Sequence, residues 1–126
     1  MTVHFVQWTL DVRDVTRMAR FWSEALGYTV DAGDDGSAKL YPPDEASPSM
    51  PTLWLQNTAT PKQHKNRNHP DLRPVDGDVD AEVERLLTLG ATRVDVGQRA
   101  DDPFVVLADP EGNEFCVLRR DPRRTD

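Results

Sequence analysis

The chain has 126 residues, 37% hydrophobic and 29% charged, a length and balance that suit one soluble globular domain. Its formal charge of −7 argues against a general nucleic-acid-binding surface. One cysteine excludes an internal disulfide, no run of about eighteen apolar residues is present to span a membrane, and the N-terminus has no signal-peptide pattern, so a cytoplasmic chain is expected.

Residues 5–12 alternate, with Val6, Trp8, Leu10 and Val12 on one face and Phe5, Gln7, Thr9 and Asp11 on the other, which is the period of a half-buried strand. Asp14 then caps a helix whose apolar positions Val15, Met18, Ala19, Trp22, Ala25 and Leu26 follow helical spacing up to Gly27. Strands at 28–31, 37–41 and 52–57 follow, the first two joined through Gly33-Asp34-Asp35-Gly36 and the last two by a Pro- and Ser-containing loop at 42–51.

A polar, basic loop at 58–67 leads into a second series in the same order. It comprises a short strand at 69–73, a helix capped by Asp78 with Val79, Val83, Leu86 and Leu87 on one face and Gly90 at its end, and a strand at 91–96. A hairpin turning at Asp109-Pro110-Glu111-Gly112 completes it. Leu26-Gly27 recurs as Leu89-Gly90. The reading is an α+β fold of two βαβββ modules, about 4–57 and 68–120, with a basic tail at 121–126; the two would form curved mixed sheets around a cavity with the helices outside.

The segments "DVRDVTRMARFWSEALGYTV", "KNRNHPDL", "VERLLTLGATRV" and "LADPEGNEFCVL" resemble the vicinal oxygen chelate superfamily, the glyoxalase and bleomycin-resistance fold, in its small glyoxalase-like branch. The resemblance spans almost the whole chain, and its most specific part is the Asp-Pro-Glu-Gly-Asn turn. It implies a divalent metal held by four inward-facing residues, which here would be Gln7, Trp54, His69 and Cys116. The repeat supports that alignment, because Gln7 and His69 are separated by the same 62 residues as Trp54 and Cys116.

The chemistry of that quartet argues against the metal. An indole offers no lone pair, and an amide is a weak neutral ligand, which leaves His69 and a Cys116 thiolate as donors. The expectation is therefore a degenerate site and no cofactor, with a divalent metal as the minor alternative, rescued by Gln56 or Glu114. Cys116 reads first as a small apolar residue lining a cavity.

His69 is the candidate general base, with Asp71 two residues on and on the same face to orient its ring. Lys65, Arg67 and Arg73 are candidate anion contacts, and Trp54 is either core or a platform for a planar ligand. Against these stand bland readings: a structural histidine and a solvated charge run. The expected partner is a small anionic or planar metabolite, with no nucleic acid and no membrane. The expected activity is an acid/base lyase or isomerase reaction or none, with non-catalytic sequestration, as in antibiotic-binding members of the fold, or a metal-dependent lyase or dioxygenase reaction as the alternatives. The resemblance also implies a homodimer.

Overall fold

The computed structural model describes residues 1–44 and 49–123, so part of the 42–51 loop and of the basic tail lies outside the described residues. The chain divides into two compact units, Met1–Pro61 and Lys62–Asp126. Each holds one helix and one four-stranded mixed sheet.

In the first unit the elements are β1 (Gln7–Val12), α1 (Val15–Leu26), β2 (Thr29–Ala32), β3 (Ala38–Tyr41) and β4 (Thr52–Asn57), in sheet order β1-β4-β3-β2. The Asp14 side chain accepts from the Arg17 N–H at the start of α1, and Gly27 closes it at φ 72°, a left-handed backbone that suits glycine. Residues β1 and β4 pair in parallel, while β3 runs antiparallel to both its neighbours. Leu40 and Ala38 sit opposite Leu53 and Leu55, and all four are buried with Met18, Phe21 and Trp22 of α1. The Trp22 ring is edge-on to both Trp8 and Phe21.

Two expectations change here. The first strand starts at Gln7 rather than residue 5, and Val6, read onto the apolar face of that strand, is 69% exposed. Pairing begins where β4 begins, since Gln7 lies opposite Thr52 and the residue before it, Pro51, has no N–H to extend the ladder. Phe21, absent from the expected helix face, is buried at 2% exposure, so the apolar stripe of α1 is wider than the spacing indicates.

The second unit repeats the plan with β5 (Asp71–Leu72), α2 (Val79–Leu89), β6 (Thr92–Arg93), β7 (Phe104–Ala108) and β8 (Glu114–Leu118), in order β5-β8-β7-β6. Asp78 caps α2 by accepting from the Ala81 N–H, and Val79, Val83 and Leu86 are its buried face. The strand expected at 69–73 shrinks to two residues between Pro70 and Pro74, neither of which can donate to a ladder. His69 therefore lies just ahead of the strand. The strand expected at 91–96 also stops early, because Asp95 accepts from the Gly97 N–H and Gln98 bonds both the Val96 N–H and the Val94 carbonyl, turning the backbone away.

The repeat read from sequence reappears in register. Thr9 pairs with Trp54 in β1 and β4, and Asp71 pairs with Cys116 in β5 and β8, the same positions one interval of 62 residues apart.

Candidate site in the second unit

Strand alternation sorts the second sheet into two faces. Leu107, Phe115 and Val117 are buried at 0–1% exposure on one face, where α2 packs against β8. On the other, Phe104, Val106, Glu114, Cys116 and Leu118 look into a pocket of about 420 Å³. Val96 and three polar residues from the preceding segments, Lys65, His69 and Asp71, complete its wall.

The pairing of Asp71 with Cys116 places a carboxylate beside the thiol, and the Cys116 N–H donates to the Pro70 carbonyl at 3.1 Å to hold that register. His69 Nε2 lies 3.3 Å from Asp71 Oδ1, with both side chains partly open to solvent. Donor atoms of His69, Asp71 and Cys116 all lie within 4.8 Å of one another. Cys116 itself is 7% exposed. Burial pushes its thiol up to about 11, and Asp71 acts in the same direction through its charge and by accepting a hydrogen bond from the thiol, while Lys65 pulls weakly the other way. The resting group is a protonated thiol, hydrogen-bonded to a carboxylate.

Glu114 plays a different part. Its two oxygens accept from the Asn66 backbone N–H at 3.0 Å and from Lys62 Nζ at 3.1 Å, while Asn66 Nδ2 donates to Asn113 Oδ1. Asn113 is in turn fastened to the buried Asp109 carboxylate of the hairpin turn. Burial pushes the Glu114 carboxyl up, but the Asn66 N–H and the Lys62 ammonium outweigh it and leave the group below its ordinary value. This network straps the basic loop onto the hairpin and sets Lys65 at the pocket. Glu114 is thus engaged by the loop while lining the wall.

The remaining sequence candidates are dispersed. Arg73 donates to the Leu118 carbonyl at 3.1 Å, and Arg67 is exposed and outside the pocket lining. Gln7, Trp54 and Gln56 belong to the first unit, where Gln7 accepts from the Thr52 hydroxyl, Trp54 is half-buried opposite Lys39, and Gln56 is exposed. Sequence reading missed the Lys62 and Asn113 contacts to the strap. The Asn-Glu pair at 113–114, directly after the turn, is the only local signal of it.

The structure thus defines an α+β protein of two repeated βαβββ units, with a titratable cluster on the open face of the second sheet. The glyoxalase-like domain model matches residues 7–118, so the chain belongs to the glyoxalase-like domain family, within the vicinal oxygen chelate superfamily. None of the curated protein sequences matches it. Among solved structures it is similar to a glyoxalase/bleomycin resistance protein from Albidiferax ferrireducens T118, at 20% identity and TM-score 0.66, covering 93% of this chain and 98% of the other. It is also similar to the fosfomycin resistance protein FosX from Listeria monocytogenes, at 14% identity and TM-score 0.73, with 98% of each chain covered. A mutant of that FosX is known in complex with Mn(II) and 1S,2S-dihydroxypropylphosphonic acid, and the similarity there is 13% identity and TM-score 0.73 over 98% of this chain and 94% of the other. At these identities the likeness is one of fold.

The manganese of that FosX complex can be tested against the residues present. Manganese is a hard ion that favours carboxylate, carbonyl and water oxygens. The quartet the family pattern would supply contains an indole and a thiol, and it does not fit that ion. The cluster present in the second unit, an imidazole, a carboxylate and a thiol, suits a softer cation.

Proposed function

We propose that this protein binds a compact anionic or planar metabolite in the pocket of the second unit, without the standard divalent-metal centre of the superfamily. Lys65 faces the anion, the apolar wall of Phe104, Val106 and Leu118 takes the body of the molecule, and His69 exchanges a proton with it. The observation that carries this reading is the 3.3 Å contact between His69 Nε2 and Asp71 Oδ1 at a pocket that Lys65 also lines. A carboxylate beside an imidazole fixes the ring's orientation and stabilises the imidazolium formed when His69 accepts a proton, which is what an acid/base lyase or isomerase step requires.

The test is a thermal-shift screen of chelator-treated protein against small carboxylates, phosphates and phosphonates, followed by turnover assays on the hits. A ligand at a hundred times its Kd stabilises the fold by about 2.7 kcal/mol. Lys65→Ala is expected to remove most of that shift, and His69→Ala to keep binding but abolish turnover. Stabilisation that survives Lys65→Ala, or no stabilisation by any anion, refutes the proposal.

A non-catalytic sequestering protein is the second reading, favoured by Trp54, whose half-buried indole stands on the face of β4 opposite the core residues Leu53 and Leu55. Binding that depends on Trp54, with no conversion of the ligand, would select it. The homodimer implied by the family belongs to the same proposal and is checked by light scattering. Among the described residues, no helix is long and apolar enough to cross a membrane.

A further inference from the structure

A carboxylate in the wall of a pocket that takes an anion is a conflict of charge, and Glu114 stands there with both oxygens occupied. Its Oε1 accepts from the Asn66 backbone N–H at 3.0 Å and its Oε2 from Lys62 Nζ at 3.1 Å, so one side chain grips the segment 62–66 at both ends. Lys62 also donates to the His64 carbonyl at 2.6 Å, which folds the segment back on itself. The grip has a firm footing. Asn66 Nδ2 donates to Asn113 Oδ1, the Asn113 amide is bonded to both oxygens of Asp109, and Asn113 and Asp109 are buried in the hairpin turn.

Two lysines three residues apart thereby take different parts. Lys62 is paired with Glu114 and lies outside the pocket lining. Lys65 lines the pocket, its Nζ lies 3.5 Å from the Asn66 carbonyl, and among the described residues it has no carboxylate partner. A lysine on an untethered loop samples many backbone and rotamer states, and an anion that captures it must offset the entropy of ordering both. Holding the backbone at Asn66, the residue next to Lys65, removes the backbone share of that cost before a ligand arrives.

We propose that Glu114 is a positioning residue for anion binding: its carboxylate holds the segment 62–66 so that the ammonium of Lys65, and not that of Lys62, is presented to the pocket. This role rests on the anion-binding reading above and deepens it by naming what prepares the anion contact. The sign of one effect separates positioning from plain electrostatics. As a bare charge in the lining, Glu114 repels an anion, and its removal would tighten binding. As the clamp on the loop, its removal weakens binding even though the repulsion has gone.

The test is calorimetric titration of the full, chelator-treated chain with inorganic phosphate and methylphosphonate, each variant first checked for its fold by near-ultraviolet circular dichroism. Glu114→Ala is expected to raise Kd by at least about tenfold and to speed hydrogen exchange of the Asn66 amide in the ligand-free chain. Glu114→Gln, equally uncharged but still an acceptor for that amide, should recover part of the lost affinity. In a Lys65→Ala background, Glu114→Ala should add nothing to the loss, because it acts through that lysine. Should Glu114→Ala not fold, Asn66→Ala decides the matter: it changes no charge, cuts the link to Asn113, and is expected to raise Kd several-fold. A Kd in the folded Glu114→Ala variant equal to or below that of wild type, or losses at Glu114 and Lys65 that add in full, overturns the inference. Lys65-dependent binding that is indifferent to Glu114 sinks the positioning role alone, whereas anions that do not bind wild type sink the anion-binding reading and this role with it.

Discussion

The Cys116 thiol offers the sharpest check on the electrostatics of the site. Its ordinary value is 9.0, and burial together with the Asp71 carboxylate lifts it to about 11. At pH 8 about a tenth of an ordinary thiol at 9 is ionised against about a thousandth of one at 11, so iodoacetamide should alkylate the folded chain at least about a hundredfold more slowly than the urea-denatured chain. Burial at 7% exposure slows it further. The same gap has a thermodynamic face. The folded chain keeps a proton that the unfolded chain loses, so stability that is fully present below pH 9 drains away as pH rises towards 11, by roughly 2–3 kcal/mol in all. Other groups titrate in that range, so the quantity to measure is the difference in urea-unfolding free energy between wild type and Cys116→Ala from pH 8 to 11. The difference should shift against the wild type as pH rises. A flat difference, or an alkylation profile with its inflection near 9 in the folded chain, refutes the assigned environment.

The Glu114 strap titrates at the other end of the scale. Its carboxyl is held below the ordinary value of 4.5, so its stabilisation is present above that pH and lost as pH falls through the folded-state value. Glu114→Gln keeps an acceptor for the Asn66 N–H but removes the charge paired with Lys62, which retains the His64 carbonyl, and should cost roughly 1–3 kcal/mol at pH 7, a deficit that closes in denaturant melts as pH falls well below 4.5. In the first unit, Trp22 is fully buried with its ring edge-on to Trp8 and Phe21. Trp22→Ala should destabilise the fold by about 3–5 kcal/mol in urea unfolding, and a loss under 1 kcal/mol would contradict the packing described.

Sequence alone determined those features whose causes are local. The β4 boundaries, the Asp14 and Asp78 caps, the glycine closures and the hairpin turn at Asp109 are each written within one strand or one helical turn, where period and side-chain chemistry act directly. The interval of 62 residues was legible for the same reason, since two copies of one pattern can be aligned without knowing where either lies, and the Thr9–Trp54 and Asp71–Cys116 pairings follow it. Tertiary structure decided what joins distant segments. Lys62 and Asn66 reach Glu114 across 52 and 48 residues, and their hydrogen bonds set Glu114 into a strap that local pattern does not encode. It also decided the character of the cysteine, which in sequence reads as a small apolar residue lining a cavity. Parallel register, set by backbone pairing between β5 and β8, brings the Asp71 carboxylate against that thiol, and only that proximity makes Cys116 part of a titratable cluster with His69.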